Sequence, residues 1–316
     1  MFEKPRPHFT PWKVAITGGR GFIGSNLIDR LLAQGHEVLS FVRPATNQVR
    51  PFEIAVKLTD EAKVSEALKH FRPTHVLYLA AVLSPGRRID DFNQQFESAV
   101  APMISFARVV PETVRAALFA GSCEEYGAGH PPFKETDLLH CFSSYGWAKI
   151  SSYFAVSYIL SQRAVPWIWL RPFLTFGPGQ KANLFLPSVI KACLADNELP
   201  LTLGEQTRDF VFINDLCRMI LEVMAKPEPA LGGPINLGSG QPRQLRQIGE
   251  TIQRMAQGKG KLQWGKLSYR QGEAMEFYSS IARFKSHYGN FQFTEFEKSL
   301  LLTMEAQRRE LNLPPM

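Results

Sequence analysis

The first 175 residues alternate short apolar runs with longer stretches of mixed polarity. Val14, Ala15, Ile16 and Thr17 form the first run, and a helix-like stretch follows over residues 22–33. Gly35 stands where that helix would end, and residues 37–42 make a second run. Residues 52–58, 74–81, 115–121 and 166–171 continue the series, with a long helical stretch over residues 145–160 before the last. Apolar strands spaced by helices pair in parallel and are buried on both faces. The pattern predicts an α/β fold built on a doubly wound parallel sheet.

After Pro172 the rhythm breaks. Gly177, Pro178 and Gly179 form a turn cluster, and residues 186–194 read as a helix. Short strands are expected near Leu201 and Phe210, and helices over residues 214–223 and 244–255. Pro234, Ile235, Asn236 and Leu237, ending at Gly238, are apolar enough to return to the main sheet. The expected organisation is a doubly wound half over residues 1–175 and a smaller mixed lobe over residues 176–316, with the segment near 234–240 back in the main sheet. Neither an internal repeat nor a low-complexity tract is present.

Composition narrows the class. The 316 residues suffice for two domains at roughly 150 residues each. With 45% hydrophobic and 21% charged residues, disordered and fibrous classes are excluded. No apolar run approaches the roughly 18 residues of a membrane span, and residues 1–12 lack the apolar core of a signal peptide. Cys123, Cys141, Cys193 and Cys217 have no metal or redox spacing, and the histidines have no ligand spacing, so no metal is expected. A reduced, cytoplasmic protein is the expectation. The net charge of +7 is spread along the chain, and its densest spots are the pairs Arg87, Arg88 and Arg308, Arg309. Without a basic stripe, nucleic acid is not an expected partner. A small polyanion held in a cleft accounts for the charge equally well.

Candidate chemistry begins between the first strand and its helix. Gly18, Gly21 and Gly24, with Arg20, Phe22 and Ile23 between them, allow a tight turn that brings backbone N–H groups to a diphosphate at the helix N-terminus. A dinucleotide site is therefore expected. An NAD site usually offers an acidic residue after the second strand to bind the ribose 2′-hydroxyl. Here Phe41, Val42, Arg43 and Pro44 stand there. Arg43 can clasp the 2′-phosphate of NADP, with Arg20 as a second cation. NADP is the favoured cofactor and NAD the alternative. Asp60 is a candidate partner for the adenine amino group, or equally a helix cap before Glu61.

Tyr145 and Lys149 lie four residues apart on one helix face. A free phenol has a pKa of about 10, which an adjacent lysine and an oxidised nicotinamide lower by favouring the phenolate. The same lysine can bond the nicotinamide ribose. Ser122, at the carboxyl end of the fifth strand, can polarise a substrate carbonyl while Tyr145 moves its proton. Cys123 has no basic partner that would make it a nucleophile.

With these motifs the chain resembles an extended short-chain dehydrogenase/reductase of the nucleotide-sugar epimerase/dehydratase family. The likeness runs from Thr17–Gly24 through Leu79, Ala80, Ala81, Gly121–Gly127 and Tyr145–Lys149 to Arg208, Asp215 and Ile235–Gly240. The resemblance implies a Rossmann domain, a catalytic triad of Ser122, Tyr145 and Lys149, and a nucleoside diphosphate sugar held by the smaller lobe. It places Leu79, Ala80 and Ala81 beside the cofactor. It also places Arg208 and Arg270 at the sugar nucleotide's diphosphate, and Asn183, Leu186 and Pro187 along the nucleotide pocket. The family's 4,6-dehydratases carry an Asp-Glu pair after the Ser/Thr, where this chain has Cys123 and Glu124. A thiol is a poor acid for expelling water, so dehydration is disfavoured. Glu124 is a second acid–base candidate or a rim residue. The chain also departs at Leu174, where the family commonly has Asn. The expected activity is NADPH-dependent reduction, at C4, of a nucleotide-linked 4-keto-6-deoxyhexose. A nucleotide-sugar 4-epimerase with tightly bound NAD is the alternative, and a non-catalytic dinucleotide sensor the reading from a different class. Family analogy adds a homodimer formed through the Tyr145 helix and the helix before the fifth strand.

Overall fold

Successive residues of a strand face opposite sides of a sheet, and both sides of this one are apolar. In β1 (Lys13–Thr17), Val14 and Ile16 join one buried cluster with Leu27, Leu31 and Leu216, while Ala15 joins another with Val64, Phe106 and Val156. The computed structural model describes residues 10–81, 90–257, 260–270 and 272–313. After β1 come α1 (Phe22–Ala33), β2 (Glu37–Val42), β3 (Glu53–Ala55), α2 (Glu61–Phe71) and β4 (His75–Tyr78). Next follow α3 (Asp90–Gln95), a π-helical turn (Phe96–Val100), α4 (Ala101–Val109), β5 (Ala116–Ala120), α5 (Ser144–Gln162) and β6 (Trp167–Pro172).

The remainder holds β7 (Leu174–Phe176), α6 (Phe185–Leu194), β8 (Glu198–Pro200), β9 (Thr207–Phe212), α7 (Ile213–Ala225) and β10 (Gly233–Leu237). It closes with β11 (Pro242–Gln244), α8 (Leu245–Ala256), β12 (Lys261–Gln263), β13 (Glu276–Phe277), α9 (Ala282–Tyr288) and α10 (Phe296–Glu310).

Seven parallel strands form the main sheet in the order β10-β6-β5-β4-β1-β2-β3. Strand order reverses between β1 and β4, and ligands of such sheets bind at the carboxyl ends there. β10 enters beside β6, pairing Ile235 with Leu170 and Asn236 with Arg171. The smaller part is a mixed sheet, β11-β9-β13 with β7 on β9, and a separate β12-β8 pair. Among the described residues no helix is long and apolar enough to cross a membrane.

Several boundaries differ from the sequence pattern. The third strand covers Glu53–Ala55 instead of residues 52–58, and the fourth stops at Tyr78 instead of running to Ala81. The Leu79 N–H makes the last ladder bond, to the Thr17 carbonyl at 3.2 Å, and the Ala80 N–H then turns to the Thr17 hydroxyl at 3.1 Å. The strand expected near Leu201 lies at Glu198–Pro200, paired with β12. The helices α9 and α10 were not among the elements expected from the sequence. They are held by a few anchors, among them the fully buried Phe284, Leu300 and Met304.

Candidate active site

The chain leaves β1 at Gly18, whose φ of +72° lies in the left-handed region that favours glycine. A Cβ there would sit 2.7 Å from the Ala80 nitrogen, and one at Gly24 would collide with the Gly18 carbonyl oxygen. The Gly21 N–H donates to that same oxygen at 2.9 Å. Helix α1 then starts with no side-chain cap and no acid in its first turn. The first N–H groups of a helix have no intrahelical acceptor. Phe22, Ile23 and Gly24 thus offer donors at the switch point, and a diphosphate fits a cradle that side chains would fill.

Two expectations change at the adenosine end. Arg20 was expected as a second cation for a 2′-phosphate. Instead its Nε and Nη2 donate to the Glu53 carboxylate at 2.9 and 2.6 Å, and Nη2 also reaches the Gln48 carbonyl oxygen at 2.6 Å. Glu53 is 7% exposed, and the Arg20 bond holds its carboxyl below the usual pKa. Burying that carboxylate requires partners, and it has the Arg20 guanidinium and the Arg50 N–H, which donates to Oε2 at 2.8 Å. Arg43, at the end of β2, is exposed. Of the two roles open to Asp60, the structure realises the cap: its carboxylate accepts the Lys63 N–H at 3.2 Å and pairs with the Lys63 ammonium at 3.1 Å.

The other half of the site gathers at the end of β5. Ser122 is 8% exposed and caps a short 3-10 turn (Cys123–Glu125), its hydroxyl accepting the Glu124 N–H at 3.2 Å. Ser143 caps α5 by accepting the Gly146 N–H at 3.0 Å. A Cβ on Gly146 would lie 2.8 Å from the Glu124 carbonyl oxygen, so the glycine lets α5 close on the Ser122 turn. Lys149 is 2% exposed, its ammonium donating to the Ala120 carbonyl oxygen at 2.6 Å and lying 5.7 Å from the centre of the Tyr145 ring. Burial pushes the Lys149 pKa down to about 8, opposed by the charge of Glu125. Burial pushes the Tyr145 phenol up, while its hydrogen bond with Ser122 pulls it down and the neighbouring Cys123, Glu125 and Glu124 add to the rise. The buried Cys123 thiol is pushed well above its ordinary value, first by desolvation and then by Glu124.

The residues that the resemblance assigned to substrate are placed less uniformly. Arg208 is near enough to the Ser122 turn to feel Glu124, but its Nη2 donates to Glu273 Oε1 at 2.6 Å. Glu273 is brought there by a turn in which its N–H donates to the Arg270 carbonyl oxygen at 3.0 Å. Arg270 and Asn183 are exposed. Glu124 is exposed too, accepting from the Ser143 hydroxyl at 3.4 Å. Leu174 pairs with Phe210 within the small sheet. Arg87 and Arg88 lie outside the described residues. Sequence reasoning passed over Glu53, Glu125 and Glu273, each a carboxylate set against an arginine. The one available signal was Arg171, a charge within the apolar run of β6, which demands a buried counter-ion.

A glycine-lined turn at the end of β1 and, two strands away at the end of β5, the grouped Ser122, Tyr145 and Lys149 place the chain among NAD-dependent enzymes acting on nucleotide sugars. The chain belongs to the NAD dependent epimerase/dehydratase family, whose model matches residues 14–238. It is 30% identical over 272 residues to dTDP-6-deoxy-L-talose 4-dehydrogenase (NAD(P)(+)) of Kitasatospora kifunensis, covering 78% of this chain and 80% of that one. It is 21% identical over 274 residues to CDP-abequose synthase of Salmonella muenchen, covering 85% and 89%. The fold matches that of the UDP-glucose 4-epimerase of Thermotoga maritima, solved with UDP-glucose. The TM-score is 0.86 at 22% identity, over 95% of this chain and 99% of the other.

Proposed function

We propose that the protein is a reductase of a nucleotide-linked 4-keto-6-deoxyhexose, acting at C4 with NADPH and with Tyr145 as proton donor. The observation that carries this reading is the Tyr145 phenol. Burial keeps it protonated, Ser122 is its hydrogen-bond partner, and the Lys149 ammonium lies 5.7 Å from its ring. A donor poised in this way suits reduction of a carbonyl. Ser122 orients the carbonyl oxygen, Tyr145 gives it a proton, and Lys149 stabilises the phenolate that remains. Cys123 supports the reading by what it lacks, because a buried thiol with a raised pKa does not protonate a leaving hydroxyl. The name of the Kitasatospora relative, a 4-dehydrogenase of a dTDP-linked 6-deoxysugar, points to the same carbon.

In this reading Gly18, Gly21, Phe22, Ile23 and Gly24 hold the cofactor's diphosphate, and Leu79, Ala80 and Ala81 pass beside it. Tyr145 and Lys149 hold the nicotinamide ribose, and Arg43 takes the 2′-phosphate. When bound, the reduced dinucleotide supplies the hydride for C4. Arg208 and Arg270 take the diphosphate of the sugar nucleotide, Asn183 lines its base pocket, and Glu124 stands at the rim. The cytoplasm is the proposed location, a setting that suits four unpaired thiols.

A homodimer is part of the proposal. Trp147, Phe154 and Tyr158 on α5 are 53%, 61% and 68% exposed, and Phe92 and Phe96 are exposed on the neighbouring segment. An apolar helix face of this kind suits a second copy of the chain.

One observation favours a second reading, a 4-epimerase that keeps NAD bound. The Arg20–Glu53 ion pair at 2.6 Å removes one of the two cations expected at a 2′-phosphate. The test offers nucleoside diphosphate 4-keto-6-deoxyhexoses to the purified protein while nicotinamide absorbance is followed, with NADPH and NADH in turn. Stoichiometric NADPH oxidation with one sugar supports the reductase. Interconversion of ordinary nucleotide hexoses without added cofactor overturns it in favour of the epimerase.

A further inference from the structure

A carboxylate with no exposed surface lies beneath the Ser122 turn. Glu125 is 0% exposed. Its Oε1 accepts the Ser122 backbone N–H at 2.7 Å and Trp169 Nε1 at 3.0 Å, and its Oε2 accepts Arg171 Nε at 2.7 Å. Arg171 is 1% exposed, and its Nη1 donates to the Tyr126 hydroxyl at 3.1 Å. That hydroxyl donates to Asn236 Oδ1 at 2.6 Å, and Asn236 Nδ2 donates to the Phe133 carbonyl oxygen at 2.9 Å. The network joins the end of β5 to β6 and β10. Gly121 lacks a side chain for the same reason, since a Cβ there would collide with Glu125 Oε1 and Trp169 Nε1.

Stability alone gives no account of this pair, because replacing a buried ion pair by apolar groups of similar volume is often neutral. Its placement does two other things. It fixes the N–H of the residue whose hydroxyl must meet the substrate oxygen. It also keeps a carboxylate close to the Lys149 ammonium: Glu125 Oε1 accepts the Ser122 N–H, and Lys149 Nζ donates to the carbonyl oxygen of Ala120, two residues earlier, so burial deprotonates the lysine less readily. The groups that act on Tyr145 come from the same turn: Ser122, Cys123, Glu124 and Glu125.

We propose that Glu125 is a positioning residue for the reaction: backed by Arg171, it holds the Ser122 turn in place and keeps a fixed negative charge beside Lys149. The proposal rests on the assignment of Ser122, Tyr145 and Lys149 given above.

The test is the double variant Glu125→Gln/Arg171→Met, which removes both charges together and leaves neither buried alone. Circular dichroism and thermal unfolding check its fold. In cofactor-free protein carrying 13C-lysine, the Lys149 Cε resonance is followed against pH and assigned by its loss in Lys149→Met. The wild-type midpoint is expected near 8, and that of the double variant about one pH unit lower or more. Turnover of the keto sugar should fall about 10- to 100-fold with KM little changed, and its alkaline limb should move to lower pH. A wild-type midpoint and a wild-type pH profile in the folded variant would overturn the proposal. Should the double variant not fold, Glu125→Asp keeps the charge but withdraws it from the Ser122 N–H. It is expected to keep the midpoint and lose turnover, and full turnover would overturn the positioning role. Tyr145→Phe separates the two levels. Activity in that variant sinks the triad itself. An inactive Tyr145→Phe beside a wild-type double variant sinks the Glu125 proposal alone.

Discussion

Replacing Glu273 with Gln should tighten the binding of a nucleoside diphosphate. Arg208, the cation assigned to the substrate diphosphate, is held by Glu273 at 2.6 Å with the two side chains 14% and 22% exposed. A diphosphate must therefore compete with an internal carboxylate for the same guanidinium. Exposed ion pairs are worth about 0.2–1 kcal/mol, and breaking a fully buried one costs about 3–5 kcal/mol. At this intermediate burial the competition amounts to about 1–2 kcal/mol, or roughly 5- to 30-fold in Kd. Gln keeps a neutral hydrogen bond to Arg208 and removes the charge, so most of that factor should appear as tighter binding. Calorimetric titration of UDP, CDP and dTDP into both proteins at fixed ionic strength reads it directly, with Arg208→Met as the control that should weaken both. Unchanged binding by Glu273→Gln would refute the competition, and weaker binding would refute it and show instead that Glu273 orients Arg208 for its ligand.

Arg43→Asp should weaken NADPH much more than NADH, and an equal effect on both by fluorescence titration would contradict a 2′-phosphate contact. Lys149 gives a pH signature in stability. Its pKa in the folded protein is about 8 against about 10.4 for a free lysine, so between these values the unfolded chain binds more protons and the contribution of Lys149 to stability rises with pH. Urea unfolding should accordingly show any stability advantage of Lys149→Met shrinking from pH 8 to pH 10.5, and a difference independent of pH would contradict the shift. Phe154→Glu with Tyr158→Glu should yield a monomer in sedimentation while cofactor still binds. An unchanged sedimentation coefficient in that variant, whether dimeric or monomeric as in wild type, would remove α5 as the interface.

What the sequence disclosed follows physical lines. Period, length and the flanking glycines located α1 and β2 to the residue, because each strand of a buried parallel sheet is a continuous apolar run bounded by turn signals. The grouping of Ser122, Tyr145 and Lys149 was legible because the chemistry proposed for them restricts residue types and spacing. The partners of those residues were not. Arg20 and Arg208 each have an obvious role when considered singly, yet the structure gives each a carboxylate 33 and 65 residues away. Such pairings are set by tertiary packing, and no local pattern encodes them. Asp60 shows the converse: its capping role was available from sequence because the cap is local. Glu125 stayed hidden behind its neighbour Glu124. Two adjacent carboxylates look alike in sequence, and only burial separates the one at the rim from the one beneath the turn.

Reduction at C4 leaves the transferred hydrogen on the sugar, where it can be followed. The protein is incubated with a nucleotide-linked 4-keto-6-deoxyhexose and NADPH carrying deuterium at the transferable position, and the product is analysed by NMR and mass spectrometry. One deuterium per product molecule is expected, located at C4 of the sugar, and none when Tyr145→Phe replaces the wild type. Absence of deuterium from the sugar, together with epimerisation of ordinary nucleotide hexoses by protein that retains its own NAD, would contradict the reductase reading.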